Sequence, residues 1–269
     1  MDERLRVLVT GCSSGIGKAS ATLLVERGHD VIATARDATD LSDIAGCERL
    51  SLDVTDPKAI NDLASAVGEI DVLVNNAGRG MVMPVEHADD AAMQIVWATN
   101  LLGPVRMIKA FLPSMRERGS GRIVNVSSVA GRRAMPMIGH YAATKHALEA
   151  ISESLQWEVR GYGVRVVLVE PGAVSTDFSK KRLAGPVDPG PYEEIAAYAA
   201  RIGPLINAPA QTACEVAQCV VAAITMEDPP LRLPTSHGVA KMIADRTERA
   251  DCEFEQWLFG VGNEPDPIA

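Results

Sequence analysis

The chain has 269 residues, of which 47% are hydrophobic and 23% charged, and it carries a formal net charge of -9. This length favours one large α/β domain with a sizeable core, so we predict a single domain over residues 1–269. The acidic balance and the scattered Lys and Arg residues argue against binding to nucleic acid or to an anionic membrane.

The five cysteines are odd in number and widely spread, and neither they nor the five histidines have the spacing of a metal site. We therefore expect reduced thiols, no structural metal and a cytoplasmic location. Residues 1–6 lead directly into a short apolar run, so we expect no export signal. Charges or glycines interrupt the apolar runs before 18 residues, so we expect no transmembrane helix.

Short apolar, β-branched runs alternate with longer helical patterns along the chain. The predicted strands are 6–10, 30–35, 49–53, 71–75, 122–126 and 164–169, with 231–233 as a candidate last strand. The predicted helices are 17–26, 57–67, 90–118, 140–161 and 212–226. Strands that are nearly all apolar are typical of a parallel sheet covered on both faces. The alternation therefore predicts a doubly wound parallel α/β sheet.

A glycine-rich turn lies between the first strand and the first helix, in the run Thr10-Gly11-Cys12-Ser13-Ser14-Gly15-Ile16-Gly17. Glycines here permit a tight turn, and the helix N-terminus offers free N–H groups to a pyrophosphate. The turn therefore predicts a dinucleotide site, although its spacing is Gly-x-x-x-Gly-x-Gly. The same residues match a Gly-x-Ser-x-Gly nucleophile elbow, which makes a serine hydrolase using Ser13 the rival enzyme class. That fold needs several strands before the elbow, whereas only ten residues precede this one.

The residues after the second strand indicate which dinucleotide binds. An Asp or Glu roughly 20 residues past the glycines would bind the ribose hydroxyls of NAD, but Ala35 and Arg36 stand at this place. A guanidinium suits the 2′-phosphate of NADP through charge-assisted hydrogen bonds. We therefore predict a preference for NADP(H) over NAD(H), with the adjacent Asp37 as the feature that leaves NAD open.

Tyr141 and Lys145 lie one turn apart on one face of the predicted helix 140–161. A lysine cation about 4 Å from a phenol contributes roughly 4 kcal/mol at an effective dielectric of 20, which favours the phenolate. The tyrosine then becomes a usable acid and base near neutral pH. Such pairs also occur by chance on solvated helices, so the interpretation depends on the surrounding residues.

A compositional change follows residue 178, where five prolines interrupt an alanine-rich stretch. We predict a substrate lid at about residues 178–210, inserted over one rim of the sheet, with a surface excursion without function as the alternative. Apolar side chains in this stretch predict an apolar ligand: Leu183, Val187, Ile195, Tyr198, Ile202 and Leu205. Trp257 and Phe259 are expected to pack back on the body of the domain.

Together, these features resemble the short-chain dehydrogenase/reductase family over roughly residues 5–178. Three further segments carry the resemblance. Asp53-Val54 is similar to the family's adenine-contacting pair, and Asn75-Asn76-Ala77-Gly78 is similar to its segment that stabilises the sheet beside the cofactor. Its loop on the nicotinamide side is similar to Pro171-Gly172-Ala173-Val174-Ser175-Thr176. The resemblance implies a Rossmann-type fold. The glycine turn with Ala-Arg after the second strand resembles the branch containing 17β-hydroxysteroid and retinol dehydrogenases.

The resemblance also implies a catalytic set of Asn100, Ser128, Tyr141 and Lys145. The family's serine lies thirteen residues before the tyrosine, which gives Ser128, with Ser127 as the adjacent alternative. Neighbouring side chains of a pleated segment face opposite ways, so only one serine can reach a substrate carbonyl. Ser128 is expected to bind the carbonyl oxygen, and Tyr141 to deliver the proton. Lys145 is expected to lower the tyrosine pKa and hold the nicotinamide ribose, while Asn100 positions a water.

The expected reaction is the NADP(H)-dependent interconversion of a ketone or aldehyde and an alcohol, with Ser128 and Tyr141 against an apolar substrate. The residues expected to bind the cofactor are Gly11, Ser13, Ser14, Gly15, Ile16, Gly17, Arg36, Asp53, Val54, Asn76, Ala77, Gly78, Tyr141, Lys145, Pro171, Gly172, Val174 and Thr176. A homodimer or homotetramer is expected through helices 97–118 and 141–160. A non-catalytic NADPH sensor or scaffold of the same fold is the alternative, against which the complete catalytic set argues.

Overall fold

A computed structural model describes residues 4–178, 181–185 and 190–260. Seven of its strands form the central sheet: β1 (Arg6–Val9), β2 (Asp30–Ala35), β3 (Glu48–Ser51), β4 (Val72–Asn75), β5 (Gly121–Val126), β6 (Val164–Glu170) and β7 (Arg232–Pro234). Every strand pair is parallel, and the spatial order is β3-β2-β1-β4-β5-β6-β7. The predicted doubly wound, Rossmann-type α/β fold is confirmed. The strand order reverses between β1 and β4, where such sheets bind their ligands.

The helices of the described residues lie on both faces of this sheet. They are α1 (Gly15–Glu26), α2 (Pro57–Val67), α3 (Asp90–Trp97), α4 (Gly103–Arg118), α5 (Gly139–Val159), α6 (Glu193–Ile206), α7 (Ala213–Thr225), α8 (His237–Thr247) and α9 (Asp251–Gly260). Two short parallel strand pairs, Met81–Val82 with Leu183–Ala184 and Val174–Ser175 with Gln211–Thr212, lie outside the main sheet.

The core consists of two apolar layers, one on each face of the sheet. Val7 and Val9 of β1 belong to one layer, which includes Leu24 of α1. Leu8 belongs to the opposite layer, which includes Phe111 of α4. Successive side chains of a strand point to opposite faces, so an all-apolar strand supplies both layers. This packing on both faces fixes the position of each strand along its own axis. It therefore also fixes where the carboxyl end of the strand meets the crevice.

The predicted helix 90–118 is interrupted. A π-helical turn at Ala98–Leu102 separates α3 from α4, and it contains the fully buried Asn100. Proline has no amide hydrogen, so Pro104 cannot make the α-helical bond to the carbonyl of Asn100. Such wide turns occur mostly as single turns and frequently at functional sites.

The same helical run corrects the expectation that no segment is long and apolar enough to span a membrane. Taken together, Asp90–Arg118 is long and apolar enough to cross a membrane by length and composition, with a mean hydropathy of 1.2 over its best window. One such helix is weak evidence for a span, because core helices of soluble proteins pass the same test. Here Met107, Phe111 and Met115 of α4 pack into the second apolar layer.

The described part of the predicted lid contains α6, whose apolar residues turn toward α9. Ile202 and Ile206 form a small core with Phe254 and Leu258, and Trp257 packs against it. Trp257 therefore packs back on the domain as expected, and Phe259 stacks on Tyr198 with ring centroids 5.4 Å apart. Val187 of the predicted apolar set lies outside the described residues.

Candidate active site

A cleft of about 650 Å³ opens at the carboxyl ends of the central strands. The structure brings most of the predicted site residues to its wall: Gly11, Ser13, Ser14, Gly15, Ile16, Arg36, Asp53, Val54, Asn76, Ala77, Gly78, Ser128, Tyr141, Lys145, Pro171, Gly172, Val174 and Thr176. Gly17 and Asn100 are the predicted residues that do not line it. The lid residues Leu183, Ile195, Tyr198, Ile202 and Leu205 do not line it either, which corrects the expectation that they form the substrate wall.

The glycine turn is packed so closely that side chains do not fit. Gly11 has φ +73°, and a Cβ there would lie 2.8 Å from the Cα of Ala77. A Cβ on Gly17 would lie 2.3 Å from Nδ2 of Asn76. Ser14, the N-cap of α1, makes no side-chain hydrogen bond to the helix. The first amides of α1 are therefore not capped by that side chain, and the turn fits an anionic group such as a pyrophosphate.

The predicted Asn-Asn-Ala-Gly segment braces this turn from the end of β4. Asn76 Nδ2 donates to the carbonyls of Thr10 and Gly11 at 2.8 and 3.1 Å. The Thr10 hydroxyl accepts from the backbone amides of Asn76 and Ala77 at 3.0 and 3.1 Å. Asn75 donates to Asn125 across the sheet at 2.9 Å, as a sheet-stabilising residue would. The two strands on either side of the crevice are thus joined at the site itself.

Arg36 and Asp37 occupy different places at the end of β2. Arg36 lines the cleft. Asp37 caps the short 3-10 helix Ala38–Leu41, where its Oδ1 accepts from the amide and the hydroxyl of Thr39 at 2.9 and 2.7 Å. These hydrogen bonds hold the pKa of Asp37 below its usual value. Arg36 rather than Asp37 therefore lines the cleft.

Tyr141 and Lys145 lie on the first turns of α5 and both line the cleft. Lys145 is 5% exposed, and its Nζ donates to the carbonyl of Val126 at 2.8 Å. Burial raises the pKa of Tyr141, and a hydrogen bond with Ser128 opposes that rise. Burial also lowers the pKa of Lys145 to about 8, against the attraction of Glu149. Ser128 is the group that lowers the tyrosine pKa here, and the expected effect of Lys145 on that pKa stays a prediction.

The two serines after β5 face different surroundings. Ser128 Oγ accepts from the amide of Ala130 at 3.1 Å and donates to the carbonyl of Pro171 at 3.5 Å, and Ser128 lowers the pKa of Tyr141. Ser127 Oγ lies against Gly131, where a Cβ would be 2.9 Å away, and it has no hydrogen-bond partner among the described residues. The geometry favours Ser128 over Ser127 as the serine that works with Tyr141.

Asn100 connects three segments around the site without lining the cleft. Its Oδ1 accepts from the amide of Arg79 at 2.7 Å, and its Nδ2 donates to the carbonyl of Arg79 at 2.9 Å. Nδ2 also donates to Thr144 Oγ1 at 3.1 Å, and Thr144 bonds the carbonyl of Tyr141 at 2.7 Å. The buried amide thus ties the loop after β4 to the helix that carries Tyr141.

Sequence reasoning missed several residues of the cleft wall, among them Gln94, Ile95, Ala98 and Thr99, whereas Phe178 and Lys181 of the wall belong to the predicted lid at 178–210. The first four are spaced by three or four residues along the helical run, so they share one face, and that periodicity could have indicated them. The ring of Phe178 lies 6.2 Å from that of Tyr141 and supplies an apolar surface beside the reacting hydroxyl. Lys181 Nζ lies 3.5 Å from Ser14 Oγ of the glycine turn.

Solved structures of similar shape include proteins that hold nicotinamide cofactors. A short-chain dehydrogenase from Streptomyces avermitilis has a TM-score of 0.82 at 33% identity, covering 98% of this chain and 99% of that one. One from Burkholderia cenocepacia in complex with NADP has a TM-score of 0.78 at 27% identity, covering 98% and 100%. One from Burkholderia phymatum in complex with NAD has a TM-score of 0.78 at 25% identity, covering 94% and 95%.

The sequence comparisons agree with the geometry. Human retinol dehydrogenase 8 is 39% identical over 253 residues, which is 86% of this chain and 81% of that protein. Human 17-beta-hydroxysteroid dehydrogenase type 1 is 35% identical over 267 residues, covering 91% of this chain and 81% of that protein. The family model for short chain dehydrogenase matches residues 6–186. The chain therefore belongs to the short-chain dehydrogenase/reductase family of oxidoreductases, which act on alcohol and carbonyl groups.

Proposed function

We propose that the protein interconverts an apolar ketone or aldehyde and the corresponding alcohol with NADP(H), using Tyr141 as the proton donor and acceptor. The observation that carries this proposal is the convergence of Ser128, Tyr141 and the buried Lys145 on the wall of one cleft. A hydroxyl pair beside a buried cation is what proton transfer to a carbonyl oxygen requires.

The residues of the cleft fit a nicotinamide dinucleotide. The turn from Gly11 to Gly17, where close packing leaves no room for a side chain at either terminal glycine, would take the pyrophosphate, and Asp53 and Val54 would adjoin the adenine. Arg36 would pair with a 2′-phosphate, because the neighbouring carboxylate of Asp37 is occupied by Thr39. When bound, such a cofactor supplies or accepts the hydride. One similar structure holds NADP and another NAD, so the preference for NADP(H) rests on Arg36.

The chain's own residues perform the proton chemistry. Ser128 would donate to the substrate carbonyl oxygen, and the Tyr141 hydroxyl would deliver its proton to that oxygen. The resulting phenolate would form near the positive charge of Lys145, which stabilises it. In the alcohol-oxidising direction, the same phenolate would take the proton back. Asn100 would keep Tyr141 in place through Thr144.

An apolar substrate is supported by the wall next to Tyr141 and by the relatives. Phe178 presents its ring there, and Met81, Met83 and Val96 form an apolar cluster against which Tyr141 packs. Two relatives are named for retinol and for a hydroxysteroid, which are largely hydrocarbon alcohols. We therefore propose that the substrate is an alcohol or ketone whose reacting carbon belongs to a mostly hydrocarbon skeleton.

The test is turnover of a panel of apolar ketones and alcohols, followed by the absorbance of the reduced nicotinamide. Tyr141→Phe removes the transferable proton and should lose at least about 99% of kcat, as removing a general acid does. NADPH affinity, measured by fluorescence, should change little. Tyr162→Phe alters an exposed tyrosine and should leave kcat unchanged. A Tyr141→Phe protein that retains a tenth of wild-type kcat would contradict the proposal.

A further inference from the structure

A group of four charged side chains, two of them buried and two partly exposed, adjoins Lys145. The buried pair are acids, Glu149 of α5 and Glu170 at the end of β6, which are 4% and 1% exposed. The partly exposed pair are arginines, Arg132 after β5 and Arg232 of β7. One helix, two strands and one loop converge to place them together, and the proposed proton-transfer steps assign them no role.

The contacts within this group are specific. Arg232 Nε lies 2.9 Å from Glu149 Oε2, and Arg132 Nη1 lies 3.4 Å from Glu170 Oε1. Gly131 makes the close approach possible, because a Cβ there would lie 3.0 Å from Cγ of Glu149. The second oxygen of Glu149, Oε1, is buried without a hydrogen-bond partner among the residues that the structure describes. A buried carboxylate with one oxygen unsatisfied is costly, so its retention needs a reason.

Lys145 supplies that reason. It lies one helical turn before Glu149 on the same face of α5, so the two side chains are neighbours. The Lys145 ammonium donates its hydrogen bond to the carbonyl of Val126, which is a neutral group. A buried ammonium without a counter-charge loses its proton. Burial lowers the pKa of Lys145 to about 8, and the attraction of Glu149 is what opposes a further fall.

The second acid, Glu170, differs from Glu149 in its contacts. Burial, and after it repulsion from Glu149, raises the pKa of Glu170 to about 7. Arg232 contacts Glu149 more closely than Arg132 contacts Glu170. Of the two acids, Glu149 therefore has the closer arginine, and it also lies one helical turn from Lys145 on α5.

We propose that Glu149 is a positioning residue whose carboxylate keeps Lys145 protonated in the active site. The groups that face this pair are Tyr141 and Glu153 on α5, Arg132 on the loop after β5, Glu170 on β6 and Arg232 on β7. The consequence for catalysis rests on the proposed function, since the charge on Lys145 stabilises the phenolate only if Tyr141 transfers a proton. The charge state itself can be measured without any turnover.

The experiment is competitive labelling with trace acetic anhydride across a pH series, with acetylation of Lys145 measured by peptide mass spectrometry. Only the neutral amine reacts, so the inflection of labelling against pH reports the protonation of Lys145. In the wild-type protein we expect the inflection near pH 8. Glu149→Gln should move it down by at least about one pH unit, a roughly tenfold rise in labelling at neutral pH. The exposed Lys241 in the same digest serves as the internal standard.

Two further variants separate charge from packing. Glu153→Gln removes the outer carboxylate that contacts Arg232 at 2.6 Å, and it should leave the Lys145 inflection unchanged. Arg232→Gln breaks the same contact as Glu149→Gln but keeps both buried acids. The inflection of Lys145 labelling in this variant should therefore stay at or above the wild-type pH. A fall in Arg232→Gln as large as that in Glu149→Gln would overturn the proposal. So would an unshifted Glu149→Gln profile, or a wild-type inflection below pH 7.

The same variants distinguish this inference from the proposed function. If the enzyme turns over, the alkaline limb of kcat should move to lower pH in Glu149→Gln and stay in place in Glu153→Gln. Labelling that shifts as expected in a protein without any turnover contradicts the proposed function alone. Turnover with an unshifted labelling profile contradicts the role of Glu149 alone.

Discussion

Two adjacent charged residues after β2 show how local hydrogen bonds decide which charge faces the cleft. Asp37 turns back to cap Ala38–Leu41, and its carboxylate is engaged by Thr39. Arg36 is exposed and lines the cleft. A cation at this end favours an additional phosphate on the adenosine ribose, whereas a carboxylate would favour the free hydroxyls.

We expect Arg36→Ala to raise the KM for NADPH by about 10-fold to 100-fold, the range for losing a charged hydrogen bond of about 1.5–3 kcal/mol. The KM for NADH should change less than about threefold, because NADH lacks the extra phosphate. Arg49→Ala is the matched control, since Arg49 is exposed on β3 and does not line the cleft. Steady-state kinetics with both cofactors measure the effect. Equal losses for NADPH and NADH would contradict the assignment.

The proton-transfer residues illustrate a second effect at this scale. The i,i+4 spacing of Tyr141 and Lys145 suggested direct charge coupling, yet the buried ammonium donates to Val126. Burial acts on both groups in the direction of the neutral form, raising the pKa of Tyr141 and lowering that of Lys145. The pKa values of Tyr141 and Lys145 therefore depend on the burial and charges around the pair as well as on the pair itself, which is why Glu149 matters.

Among the elements, the π-helical turn between α3 and α4 has the clearest local consequence. It carries Asn100, whose side chain holds both backbone groups of Arg79 and the hydroxyl of Thr144. The loop after β4, the π turn and α5 are thereby fixed to one another. The loop borders the cleft and α5 carries Tyr141, so this buried amide controls the relative positions of two walls of the site.

We expect Asn100→Ala to lower the free energy of unfolding by about 2–4 kcal/mol, because it leaves buried backbone groups of Arg79 unpaired. It should also lower kcat, since Tyr141 loses the contact that runs through Thr144. Asn61→Ala, at an exposed position of α2, should change the unfolding free energy by less than about 0.5 kcal/mol. Urea unfolding measures the free energy of unfolding of both variants. An Asn100→Ala protein as stable as the Asn61→Ala control would refute this role.

The elements also show what the sequence could predict. The strands β2 and β5 were recognisable because a short, mostly apolar run rich in β-branched residues fits a sheet covered on both faces. The glycine turn was recognisable because its chemistry is local. The π turn was not, since the apolar pattern of residues 90–118 continues through it. The lid was assigned to the substrate from composition alone, whereas Ile202 packs on α9, a tertiary contact that no local pattern specifies.

At the scale of the whole molecule, the largest question is what covers the apolar residues that remain exposed. Trp157 of α5 is 63% exposed, and Ile151 of the same helix is 43% exposed. The Arg116 guanidinium lies 5.9 Å from the ring centroid of Tyr162, so the end of α4 lies beside the segment that follows α5. Large exposed apolar side chains such as these on α5 are typical of an interface between subunits.

We propose that the protein self-associates through α4 and α5, and we expect a dimer or tetramer by light scattering at micromolar concentration. Trp157→Glu places a charge on this face and should weaken association by at least about 30-fold, the cost of losing an aromatic hot spot of about 2 kcal/mol. Leu205→Glu, at a 59% exposed position of α6, should leave the assembly unchanged. A monomeric wild-type protein would contradict this proposal, and an assembly that Leu205→Glu disrupts and Trp157→Glu does not would place the interface elsewhere.

Because α5 also carries Tyr141 and Lys145, an assembly through this helix would hold the proposed catalytic residues against the subunit contact. If that contact orders them, kcat should fall when the protein is diluted.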